Sequence, residues 1–135
     1  MKTVTKKILR ICAVNTALAV TLSASAHHSF AMFDHTREVQ LKDATVVDWQ
    51  WTSPHTWLYL YVSNGTATPD KYSVEGGNPG QLRRLGFGKG TFAPGDKVTV
   101  YISPLLSGEK GGALVRAMLK NGTTLGEQPK GADKP

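Results

Sequence analysis

The sequence predicts an all-β domain carrying one short helix. Three features point there. Apolar residues alternate in several short runs, most cleanly over residues 56–62. Breaks rich in Gly, Pro and Asn-Gly separate those runs. A single helix start, Asn78-Pro79, falls between the third and fourth runs.

In chain order, residues 1–26 read as a cleaved signal peptide. A basic start (Lys2, Lys6, Lys7, Arg10) precedes an uncharged stretch over residues 11–22, and Ala24 and Ala26 sit at −3 and −1 of a cut. That stretch is too short and too polar to span a bilayer. With the leader removed, 109 of the 135 residues remain, and 12 basic residues face 10 acidic ones. The sequence pI of about 9.6 therefore belongs largely to the leader and argues for no nucleic-acid partner. The one cysteine, Cys12, also lies in the leader, so the mature chain holds no disulfide and no thiolate metal site. A periplasmic or secreted protein with no membrane span in its mature chain is expected.

Residues 27–36 form an N-terminal segment, 37–125 the barrel domain and 126–135 a tail rich in Lys, Gly and Pro, expected to be disordered. The first strand is long: Val39 and Leu41, then Val47, Trp49 and Trp51, share one parity, whereas Ala44 and Val46 have the other. The phase change at Lys42-Asp43-Ala44 predicts a bulge that bends it. Pro54 closes the strand because it has no N–H to donate. The second strand, 56–62, puts Leu58, Leu60 and Val62 on one face and Trp57, Tyr59 and Tyr61 on the other. Residues 72–75 make a short third strand, 81–85 the helix, 98–102 a fourth strand launched by the Pro94-Gly95 turn, and 113–120 a fifth. Residues 123–125 add a short return strand. A helix between strands three and four of five is the OB-fold arrangement. A small β-sandwich is the alternative.

Four histidines occur: His27, His28, His35 and His55. After cleavage His27 becomes the N-terminus, where its free amino group and Nδ1 can chelate one ion together. Nitrogen donors suit copper, nickel and zinc, and copper is the expected cofactor. The predicted ligands are His27, His28 and His55, with Asp34 orienting a histidine from behind. His35 reads as a surface residue. The geometry is demanding, because a straight strand of about 15 residues spans about 50 Å and parts the histidines. The bulge at Asp43, and a segment 27–34 running back along the first strand with Phe30 and Phe33 buried, are expected to bring them together.

Ala26-His27-His28-Ser29-Phe30, Phe33-Asp34, Trp51-x-x-Pro54-His55, Val74-Glu75, Leu82-x-x-x-Gly86 and Pro94-Gly95-Asp96-x-Val98-x-Val100 together resemble a family of exported bacterial proteins. That family is known only as a domain of unknown function. Its members open the mature chain with His-His-Ser and carry Asn-Pro-His before the second strand. The resemblance covers nearly all of the mature chain and implies that His27, His28 and His55 belong to a family pattern. It supplies no activity. The sequence departs from it at Ser53, where Asn is usual, and at Asp43, where glycine is expected.

A second reading uses the aromatic set Trp57, Tyr59 and Tyr61, with Trp49 and Trp51 on the neighbouring strand. OB-type barrels stack ligands on such a face, and the partner would be an envelope protein, a sugar or another small molecule. Cross-strand packing explains the same rings without a ligand. No phosphate loop, paired-carboxylate site or Cys-x-x-Cys motif occurs, and Ser29 beside His28 has no orienting acid. No catalytic constellation is present, and no enzyme is expected.

Overall fold

The computed structural model describes residues 30–128. Contacts divide the chain into Met1–Met32 and Phe33–Pro135, and the fold is that of the second unit. It comprises β1 (Val39–Gln50), β2 (Trp57–Val62), β3 (Asp70–Glu75), a helix α1 (Pro79–Arg84), β4 (Lys97–Pro104), β5 (Gly111–Met118) and β6 (Thr124–Gly126).

The strands close on themselves. The sheet order is β3-β2-β1-β4-β5-β6, and a further β3–β5 pairing joins its ends. That closing pair is parallel, with Ser73, Val74 and Glu75 beside Gly111, Gly112 and Ala113, while the other pairs are antiparallel. This is the expected five-stranded OB-fold-like barrel, with β6 as an added flap. Glycine is required where the barrel closes. A Cβ on Gly111 would lie 2.6 Å from the Ser73 carbonyl oxygen across the closing pair, closer than the strands allow.

The long first strand serves two neighbours because it bends. Its early residues pair with β4 and Thr45 onward with β2, and register shifts occur between Leu41 and Ala44 and between Val46 and Asp48. The first is the bulge anticipated at Lys42-Asp43-Ala44. Asp43 adopts φ 52° there, a left-handed conformation natural to glycine. The second bulge returns Trp49 to the core side, opposite Leu58.

Leu58, Leu60, Val46, Val74, Val100 and Ile102 fill the interior, each fully buried. Burial of a side chain of this size stabilises the fold by about 1.5–3 kcal/mol. The loop after α1 supplies a plug that the alternation pattern did not reveal. Phe87 and Phe92 are buried, Phe92 meets the Trp49 ring edge-on at 5.1 Å, and Trp49 Nε1 donates to the Gly88 carbonyl at 3.0 Å. The helix begins as expected: Asn78 Oδ1 accepts from the Gln81 N–H and Gln81 Oε1 accepts from the Asn78 N–H, a complete capping box with Pro79 in the first turn. Its one buried side chain is Leu82. At the far end Gly126 is paired into β6, and its N–H donates to the Leu85 carbonyl at 3.0 Å.

Two expectations about the N-terminal segment are corrected. Phe33 is 8% exposed, but Phe30 is 68% exposed. Phe33 bridges Leu105, and the Asp34 N–H donates to the Pro104 carbonyl at 2.8 Å. Phe33 and Asp34 thus extend the β1 line along β4 and do not return beside β1. The cause is the tight turn after them, in which the Asp34 carboxylate accepts from both the N–H and the hydroxyl of Thr36. Residues 27–29 of that segment lie outside the described residues. Among the described residues, no helix is long and apolar enough to cross a membrane.

Candidate functional site

The loop between β1 and β2 carries His55, and hydrogen bonds fix its path. The Thr52 hydroxyl donates to the His55 carbonyl at 2.9 Å, and the Ser53-Pro54 peptide is cis. Immediately after it, Thr56 is fully buried and clasps the end of β3: its N–H and hydroxyl both donate to the Gly77 carbonyl, and its own carbonyl accepts from the Gly76 N–H at 2.8 Å. Gly76 is required there, because a Cβ would come within 2.2 Å of Thr56 Oγ1.

The clasp sets His55 against Glu75. The imidazole Nδ1 bonds to Glu75 Oε1; the imidazole side chain is 40% exposed and the carboxylate 12%. A carboxylate on Nδ1 fixes that nitrogen as the protonated one and makes Nε2 the nitrogen with a free lone pair. A histidine oriented by a carboxylate in this way is how proteins commonly present an imidazole to a metal ion. Glu75 is the residue that sequence reasoning passed over. Its signal was present, since Val74-Glu75 is among the residues that carry the resemblance noted above, but nothing in the sequence tied it to His55.

The other predicted ligands are distributed as follows. His27 and His28 lie outside the described residues. Asp34 is engaged by Thr36 and by Arg37, whose Nε stands 3.5 Å away. The Thr36 hydrogen bonds, helped by the Arg37 charge, hold its carboxyl below the ordinary value. His35 is exposed, with its ring 6.1 Å from that of Phe33. Among the described residues, no three His, Cys, Asp or Glu side chains gather to hold a metal ion.

Barrel closure brings Phe33 and Glu75 onto nearby strands of one sheet. Phe33 bridges Leu105, the Leu105 N–H donates to the Gly111 carbonyl, and Gly111 lies beside Ser73, two residues before Glu75. Three lateral steps of about 4.8 Å and, at right angles to them, two residues of about 3.3 Å put Phe33 about 16 Å from Glu75 on the diagonal across the sheet.

The aromatic rings separate into two sets. Trp57 and Tyr59 are half-buried on the outside of β2, near-parallel at 6.4 Å, and Tyr61 beyond them is 42% exposed. Trp49 does not join them, because the second bulge of β1 turns it inward. Trp51 packs on Trp49 at 5.5 Å with the Arg83 guanidinium over its ring. The sequon-like Asn64-Gly65-Thr66 and Asn121-Gly122-Thr123 are turns, with each Asn Oδ1 accepting from the Thr N–H two residues on.

A model of a family of unknown function, DUF6152, matches residues 16–115. No curated protein and no solved structure matches the chain.

Proposed function

The chain belongs to that family of unknown function, DUF6152, and from this premise we propose that it is exported to the periplasm, cleaved after Ala26, and binds a metal ion, copper first among candidates. The amino group and imidazole of His27, with His28, supply one side of the site and His55 Nε2 supplies the other. The observation that carries the reading is the His55–Glu75 pair, a partly exposed imidazole held in one tautomer by a shielded carboxylate.

Calorimetric titration of the mature protein, beginning at His27, tests this. A one-to-one copper complex is expected, weakened at least tenfold in His27→Ala, in a variant with one residue added before His27, and in His55→Ala. Unchanged affinity in the first two removes the terminal chelate. Unchanged affinity in His55→Ala removes the shared site. Imidazole must shed its proton to bind, so affinity falls as the solution is acidified.

A second reading is favoured by the near-parallel pair of half-buried rings: a ligand-binding face without metal on the outside of β2, using Trp57, Tyr59 and Tyr61. An envelope protein or a small molecule would be its partner.

A further inference from the structure

We propose that the outer face of β2, flanked by β1 and β3, binds a neutral saccharide. The inference rests on the second reading above and names its ligand class.

The register places the flanks. Trp57 lies between Gln50 of β1 and Glu75 of β3, and Tyr59 lies between Asp48 and Ser73. Residues directly opposite in a sheet share a face, so these six form one outward patch, with Leu58, Leu60 and Val74 buried beneath. The Trp57 and Tyr59 rings stand near-parallel at 6.4 Å and put two half-buried aromatic groups in one row of this patch. A rim of carboxylate, amide and hydroxyl groups runs along both sides of them.

Charge decides among ligands. Two carboxylates, Asp48 and Glu75, flank the rings, while the lysines come one row away at Tyr61, which lies between Lys71 and Thr45, whose hydroxyl accepts from Lys97 Nζ. A polyanion needs cations where its phosphates lie, and this row offers the opposite sign. Aromatic faces and carboxylates both attract a cation, so choline is the comparator that separates that case. Gln50 Nε2 donates to Asp48 Oδ2 at 3.0 Å and His55 meets Glu75, which holds both carboxylates in place as acceptors, the groups that sugar hydroxyls need. The C–H faces of a neutral saccharide lie on the rings and its hydroxyls, each both donor and acceptor, meet the mixed rim. OB-type barrels bind oligosaccharides through the strand 2–3 face and the loop after strand 1, here the loop that bears His55.

The test uses metal-stripped mature protein, which separates it from the copper question, and follows the indole and amide NMR signals. Cellohexaose, laminarihexaose and chitohexaose are the saccharide probes; an oligothymidylate and choline are the comparators. Saturable shifts at the Trp57 indole and the Tyr59 amide with at least one saccharide are expected, weakened tenfold or more in Trp57→Ala and in Tyr59→Ala. Asp48→Ala, a change at an exposed side chain, is expected to weaken binding threefold or more and serves if Trp57→Ala does not fold. Shifts produced only by choline or the oligonucleotide overturn the saccharide assignment and leave the face as a binding surface. Silence of both rings toward every probe overturns the assignment and the second reading together.

Discussion

Replacing Gly76 with Ala tests how His55 is positioned. The new Cβ would stand 2.2 Å from Thr56 Oγ1 and 3.1 Å from Leu82 Cδ1. Neither neighbour yields freely: Thr56 is fully buried and its hydroxyl donates to the Gly77 carbonyl at 3.1 Å, and Leu82 is the buried anchor of α1. Forcing a methyl into a packed site costs about 1–3 kcal/mol, and turning the hydroxyl away loses a hydrogen bond of about 1 kcal/mol. A loss of about 2–3 kcal/mol is expected, which in a domain of this size lowers Tm by about 10–20 °C. Thr56→Ala removes the clashing oxygen, so the double variant should be no less stable than Gly76→Ala alone, a coupling of about 1–2 kcal/mol. Urea denaturation of the four proteins measures it. Gly76→Ala within about 0.5 kcal/mol of the parent, or simple additivity in the double variant, refutes the clasp.

Asp43 holds the left-handed turn of the first bulge, so Asp43→Gly should fold at least as stably as the parent. Asp43→Val should lose about 1–2 kcal/mol, read by the same denaturation. On the acid side, Asp34 is held below the ordinary carboxyl value by its Thr36 hydrogen bonds, and Asp70 chiefly by its bond from Lys110, at 3.0 Å. A depressed carboxyl contributes stability above its unfolded value of about 3.9 and loses it as pH falls through the folded one. Tm should therefore drop below about pH 4, and Asp34→Asn with Asp70→Asn should flatten that limb. An unchanged acid limb in the double variant counts against these contacts.

Much of the barrel was legible because alternation, Asn-Gly turns and the Asn78-Pro79 helix start are local signals. Leu58 and Leu60 are buried as their parity demanded, and the bulge showed as a phase change at Asp43. The second bulge was not legible, because Val47 is apolar and hides the break, and so Trp49 was grouped with the outer rings. Phe87 and Phe92 were not recognised as core, since a plug formed by a loop has no period. Phe30 is expected inside as an anchor, with Phe33, of a segment returning along β1, yet only Phe33 is buried, on the line that continues β1 along β4. The His55–Glu75 pair joins residues 20 apart across the end of β2 and β3. Only the register of those strands reveals it, and register is set by tertiary pairing.

The most direct test of the proposed site is paramagnetic broadening of the histidine ring signals as copper is added below one equivalent to the mature protein. Sharing one ion predicts that the rings of His27, His28 and His55 broaden together, ahead of His35. A His55 ring that stays sharp while His27 and His28 vanish would contradict the shared site and leave copper at the N-terminus alone.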